Sequence, residues 1–349
     1  MQSVGENQST IASEIPLDVL EVIFKSLNPH DLAICCRVNK PVYTLAHEAL
    51  YRDLRPTRRN VMHLCLKLCN EPQLAHRART FTLFDNAVDM YLGIISDALV
   101  KLSRLHTLTL FIGPLSSWIL PRTNPPAFML RTFSCGFCLD DCLVSFLQNQ
   151  DALRHIAISA PKNPSLVNFV RPHSFPNLVS LVAPMSVVQT FVTGRPVRHV
   201  IAYDTNSGRP PKISCLSTST SPRGIQRLML NYKYLLGVGC EELALSTPNL
   251  VDFTIDADGV SPDDPEMIDY LLDWIEEYLS YTWKLDCLTI RFHPNLSSIP
   301  CRQIDFSDMI TSIFAASSRL RHVIITFYGV KARYVCRMVP GKDWYIVND

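Results

Sequence analysis

Leu105-His106-Thr107-Leu108-Thr109-Leu110 is the phrase from which the fold is read. Its first, fourth and sixth residues are apolar. On a short strand the fourth and sixth share one face and the threonines take the other, because strand side chains alternate. The phrase returns toward the C-terminus as Leu130-Arg131-Thr132-Phe133-Ser134-Cys135, Leu153-Arg154-His155-Ile156-Ala157-Ile158 and Leu178-Val179-Ser180-Leu181-Val182-Ala183. Further copies begin at Ile225, Leu250, Leu285 and Leu320. Weaker ones begin at Ala78, with Phe81 and Leu83, and at Val197, with Val200 and Ala202. Successive first positions lie 19 to 28 residues apart up to Leu250, and 35 apart for the last two steps. One strand-turn-helix unit cannot bury its own apolar face, so units of this kind stack and share a core.

The residues between phrases supply the covering layer. Helical apolar spacing runs over 87–101, 139–148, 266–282 and 306–317. Asp264 is placed to cap the third of these and Pro265 to start it, with Leu271, Ile275, Tyr278 and Leu279 among its inward residues. Phrase and period resemble those of leucine-rich repeats, whose period is ~20–29 residues. The resemblance implies an α/β fold over 78–349, an irregular solenoid of short parallel strands and helices. Irregularity is expected because only Cys138 occupies the Asn/Cys place three residues past a phrase. An unrelated α/β domain with alternating strands and helices would share the same spacing.

Toward the N-terminus, 55–77 reads as a basic, proline-containing connector and a linker helix at about 60–69, ended by Asn70-Glu71-Pro72. Before it, 15–54 holds three amphipathic segments. Pro16 stands at the first helical position of the first, and Leu17, Leu20, Ile23, Phe24 and Leu27 recur at helical spacing. Asn28 is placed to cap the second, with Pro29 at its first position and Asp31 in its first turn. Leu32, Ile34, Cys35, Cys36 and Val38 follow, and a third segment carries Val42, Leu45, Ala46, Ala49, Leu50 and Tyr51. About forty residues bury too little surface to stand alone, so the segment must lean on a partner or on the rest of the chain.

The order of these residues resembles an F-box, the motif that docks a substrate receptor on the Skp-type adaptor of a cullin-RING ubiquitin ligase. The match runs from Pro16, Leu20, Ile23 and Phe24 through the Asn28-Pro29-His30-Asp31-Leu32 turn to Val38, Leu45 and Leu50-Tyr51-Arg52. It departs at Asn39-Lys40-Pro41-Val42, where the family often carries tryptophan at the place of Val42. The resemblance implies adaptor contacts from Pro16, Leu17, Leu20, Ile23, Phe24, Leu27, Leu32, Val38 and Leu45. It further implies a cullin reached through the adaptor, and an unidentified substrate protein on the repeats. The expected division is a disordered leader (1–12), the F-box (13–54), a linker helix (55–77) and the repeats (78–349). Box and degenerate repeats together resemble F-box proteins expanded in mushroom-forming fungi. The alternative is an interaction scaffold without a ligase link, its first helices serving only as a cap.

The rest of the sequence is read mainly for chemistry it does not signal. With 33 basic and 32 acidic residues the chain lacks the cationic excess of a nucleic-acid binder. The span 172–194 has no charged side chain, but its Asn177, Pro184 and Gln189 make it a buried strand, turn and short helix rather than a membrane span. Met1 to Ser13 lacks the apolar core of a signal peptide, and the twelve scattered cysteines read as reduced, buried thiols. A cytoplasmic or nuclear protein is expected, whose sequons at Asn7 and Asn295 stay unglycosylated. Cys135, Cys138, Cys142 and His155 have zinc-like spacing, yet Cys135 fills an inward repeat slot, so core thiols are expected and no metal. Gly237-Val238-Gly239 lacks the third glycine of a dinucleotide loop, and Asp256-Ala257-Asp258 does not continue as a calcium loop. No hydrolase, metalloprotease or P-loop motif is present, so neither enzyme activity nor a cofactor is expected. Between Asp252 and Glu277 stand ten acidic residues and no Lys or Arg, which reads as a solvated face or a docking edge for a basic partner.

Overall fold

A computed structural model describes residues 16–123, 125–159, 170–171, 174–203, 212–293, 304–328, 333–337 and 345–347. The expected leader 1–12, Ile15 and the sequons at Asn7 and Asn295 lie outside the described residues. The fold is mixed α/β: N-terminal helices, then one long sheet of mostly parallel strands.

Three helices open the chain: α1 (Leu17–Ser26), α2 (Pro29–Cys35) and α3 (Lys40–Arg52). Pro16 sits one place earlier than its sequence position suggests. It is the cap residue of α1, and its carbonyl accepts from the Val19 and Leu20 amides at 3.0 and 3.1 Å. Asn28 caps α2, its Oδ1 accepting from Asp31 N at 2.9 Å. Asn39 does the same for α3, accepting from Val42 N at 2.9 Å with Pro41 in the first turn. The Asn39–Val42 departure from the family pattern is therefore a helix start.

From α3 the chain passes without a linker into strand β1 (Asp53–Leu54). A helical pair, α4 (Val61–Asn70) and α5 (Pro72–Ala75), then leads to β2 (Thr80–Phe84), which pairs in parallel with β1 through Asp53–Thr80 and Leu54–Phe81. The sheet thus begins inside the stretch read as the F-box, ahead of the first phrase.

Strands and covering helices then follow in the order α6 (Leu92–Lys101), β3 (Thr107–Phe111), β4 (Thr132–Cys135), α7 (Asp141–Gln148), β5 (His155–Ile158), β6 (Ser180–Pro184), α8 (Met185–Val192) and β7 (His199–Tyr203). The second half continues with β8 (Arg227–Asn231), α9 (Tyr232–Leu235), α10 (Cys240–Ser246), β9 (Asp252–Ala257), α11 (Pro265–Tyr281), β10 (Cys287–Phe292), α12 (Ser307–Ala316) and β11 (His322–Phe327). A final pair, β12 (Arg333–Arg337) and β13 (Tyr345–Val347), runs antiparallel.

Among the described residues thirteen strands form one sheet in strict chain order. Its register follows the phrases, so Thr107 pairs with Thr132 and Leu228 with Phe253. The three apolar places of every copy are buried, including the weaker copies at Ala78 and Val197. The amide of the leading residue bonds the carbonyl three places earlier at Leu105, Leu153, Leu178 and Leu250, at 3.1 to 3.2 Å. That recurrent turn sets each strand's entry. Helices cover one face of the sheet and complete a single large core, while the other face stays half-exposed.

Three helices were not foreseen as such: α5, α9 and α10. Gly237-Val238-Gly239 is the turn into α10, with Gly239 as its cap residue, and α9 follows β8 directly. Among the described residues no helix is long and apolar enough to cross a membrane.

Candidate functional site

Two surfaces carry the functional question: the N-terminal helices and the uncovered face of the sheet. The helices have a small core of their own. Phe24, Leu32 and Ala46 are its buried members, with Leu20, Leu27, Cys35, Cys36, Val42, Leu45, Ala49 and Leu50 packed partly buried against them. Val42, at the place of the family's tryptophan, is one of these packing residues.

The residues expected to contact an adaptor therefore separate by position. Phe24 and Leu32 lie inside the helical unit and hold it together, and Leu20, Leu27 and Leu45 lean on them. Pro16, Ile23 and Val38 are exposed, with Val38 at 64 %. The side chain of Leu17 lies outside the described residues. Val19, Val22 and Ile34 also expose large apolar surface, at 44, 65 and 53 %. None of these three stands among the expected adaptor contacts. The available signal was a second apolar stripe on α1, since Val19, Val22 and Ile23 fall at helical spacing outside the stripe that includes Leu20, Phe24 and Leu27. Apolar side chains outside a unit's own core mark a surface for a partner when they cluster.

Residues 12–48 form an F-box domain. The match is to the F-box domain family and covers those residues alone. No curated protein matches the chain. F-box domains in general bind Skp-type adaptors and indicate a substrate-adaptor role in SCF-type ligases.

The F-box is fixed to the sheet by the far end of α3. Tyr51 packs on the large core, and Leu54 in β1 is buried within it. Along α3 the rings of Tyr43, His47 and Tyr51 contact in series at 5.0 and 4.9 Å. The ammonium of Lys67, on α4, lies 5.3 Å from the centre of the Tyr51 ring. Arg77 Nη1 donates to His47 Nδ1 at 3.0 Å. Burial, and then the charges of Arg77 and Lys67, hold His47 below the ordinary imidazole value, so the ring stays neutral and accepts.

On the uncovered sheet face, one cross-strand row reads Thr80, Thr107, Thr132, His155, Ser180, His199, Arg227, Asp252, Cys287 and His322. The next row turns from hydroxyl at Thr82, Thr109 and Ser134 to apolar at Ala157, Val182, Ile201 and Met229, then back to hydroxyl at Thr254 and Thr289. Charges pair mainly toward the C-terminal half. Arg227 faces Asp252 at 3.7 Å, His293 faces Asp256 at 3.1 Å, and Asp286 takes both Arg321 and His322.

The suspected metal quartet is divided by the same alternation. Cys135 is fully buried and burial pushes its thiol up to about 12, whereas His155 stands on the uncovered face opposite Thr132. Among the described residues no group of three or more His, Cys, Asp or Glu side chains is arranged to hold a metal ion. In the acidic stretch, Asp264 caps α11, accepting from the Glu266 and Met267 amides at 3.1 and 3.3 Å. Glu266, Asp269, Asp273 and Glu277 line the exposed side of that helix. This is the arrangement of a solvated helix face.

Proposed function

We propose that the chain is a non-catalytic substrate receptor of an SCF-type, cullin-RING ubiquitin ligase. In this reading the F-box docks on a Skp-type adaptor and through it reaches a cullin. The sheet, taken as an irregular leucine-rich-repeat solenoid, holds the substrate protein on its uncovered face. The receptor contributes effective concentration: it keeps the substrate at a fixed distance from the ubiquitin-charged enzyme and supplies no bond-making group. The observation that carries the reading is the F-box match, joined to the exposed apolar side chains that its own core leaves outside. Support also comes from the direct passage of α3 into β1, which gives box and sheet a defined relative position. Free thiols at the described cysteines suit a cytoplasmic or nuclear setting.

The test is capture of a Skp-type adaptor by the purified chain. Val22→Asp/Ile23→Asp is expected to abolish capture while leaving the fold intact, because both side chains are exposed. Equal capture by wild type and variant would defeat the docking surface, and no capture by the wild type would defeat the ligase reading. The second reading, a scaffold whose helices cap the sheet, is favoured by one observation: Tyr51 and Leu54 close the end of the large core. It predicts no adaptor capture.

A further inference from the structure

Between the F-box and the first strands lies a cleft of ≈ 820 Å³. Five cationic side chains converge on it: Arg52 at the end of α3, Arg77 and Arg79 before β2, Lys101 at the end of α6, and Arg104 before β3. Two carboxylates share the wall, and Glu21 is already bonded to Lys25 at 2.8 Å, which leaves Glu48. Among the described residues none of the five cations forms an ion pair. Their hydrogen bonds to protein include neutral acceptors, Arg104 O for Arg79 at 3.2 Å and His47 Nδ1 for Arg77. Five like charges facing two carboxylates, one of them already paired with Lys25, keep a net repulsion, which persists where the fold imposes it or a ligand relieves it. Here β1 and β2, paired in parallel, bring Arg52 and Arg79 side by side, the Arg79 amide bonding Arg52 O at 2.8 Å.

We propose that this cleft is a binding site for clustered phosphate groups. Arginine forks and a lysine ammonium from three segments of the chain match tetrahedral oxyanions. A single carboxylate would neutralise only part of the charge. The ligand touches both the F-box helix and the sheet, so binding also clamps the two together. The site does not depend on the ligase reading, and failure of adaptor capture leaves it untouched.

Two sources share this chemistry, a free oligophosphate and a multiply phosphorylated protein segment. The sheet edge separates them. Arg131 and Arg154 continue the row beyond Arg79 and His106, each amide bonding the preceding member's carbonyl at 2.8 to 2.9 Å. Neither lines the cleft, and at roughly 4.8 Å per strand Arg131 and Arg154 stand about one and two strands beyond the Arg104 wall, along the path of a chain leaving it.

The experiment titrates the full chain calorimetrically with tripolyphosphate, and with a doubly phosphorylated peptide against its unphosphorylated form, at about 0.15 M salt. The expected result is saturable one-to-one binding of at least one phosphate ligand and a raised melting temperature. Arg52→Gln/Lys101→Gln/Arg104→Gln, all at exposed positions, is expected to weaken it at least about tenfold. Arg131→Gln/Arg154→Gln leaves tripolyphosphate binding unchanged, and weakens the peptide alone if a protein segment is the source. The proposal is overturned if neither ligand binds at that salt, if the triple variant binds as wild type does, or if the Arg131/Arg154 variant loses tripolyphosphate equally.

Discussion

Arg195 shows how a single side chain sets local structure. It is 2 % exposed and, among the described residues, pairs with no carboxylate. Its Nε donates to Ser174 O at 2.8 Å, Nη1 to Thr190 O and Thr193 O at 2.7 and 3.0 Å, and Nη2 to Arg171 O at 2.9 Å. Burial lowers it to about 10, so it remains charged at neutral pH. The guanidinium also lies 5.4 Å from the centre of the ring of Phe175, a non-glycine residue held at φ 63°. A lysine has no fork to reach those carbonyls, so Arg195→Lys should cost about 2–3 kcal/mol in a denaturant titration. A loss under about 0.5 kcal/mol, the size of an ordinary surface change, would contradict that role. His47 gives a pH signature. Its folded value lies below its ordinary 6.5, so the unfolded chain binds the proton more readily. Its contribution is present above about 6.5 and is lost as pH falls through the lowered folded value. His106 and His199 shift the same way, both chiefly by burial, and deepen the acid loss. His47→Gln should therefore flatten, without abolishing, the fall in melting temperature between pH 7 and 5 measured for the wild type. An unchanged pH profile would count against the Arg77–His47 bond.

At the scale of elements, caps and phrases do most of the specification. Asn28, Asn39 and Asp264 each accept backbone amides that the following helix cannot pair internally. Asp264→Ala should lower stability by about 1 kcal/mol, read as a shift in urea midpoint at constant slope. A shift under about 0.3 kcal/mol would mean that water replaces the cap without loss. Strands β2 to β11 were legible because three apolar places recur in every copy, and even the poorer residues Ala78 and Val197 are fully buried, whereas β1, β12 and β13 carry no phrase. The F-box interior was legible less cleanly. Phe24 and Ile23 are adjacent and both apolar, yet one is 4 % and the other 40 % exposed. Helical spacing gives the direction of a stripe, and only the packing of α3 against α1 and α2 decides which stripe becomes interior.

For the molecule as a whole, strict strand order means that each unit pairs only with its neighbours, so the ends of the sheet need closing. The antiparallel pair β12–β13 closes one end, and β1 with α3 closes the other. Deleting residues 1–54 would strip the partner from β2 and uncover the part of the large core now filled by Tyr51 and Leu54. The shortened chain should self-associate in size-exclusion chromatography. A monodisperse monomer melting where the full chain melts would show instead that the F-box is an independent appendage.

Taken by itself, the sequence determined the units: the six-residue phrase, its period, the caps, and a forty-residue helical block too small to stand alone. These are local properties, fixed by side-chain alternation, helical spacing and hydrogen bonds between near neighbours. Tertiary structure alone decided where the block ends, because Asp53–Leu54 becomes strand only when β2 offers an edge. It also decided which apolar residues of α1 are interior, and that Arg52, Arg79 and Arg104 share one cleft. Those outcomes depend on contacts between separate elements, from Phe24 with Leu32 and Ala46 to Asp53 with Thr80, and no local periodicity encodes them.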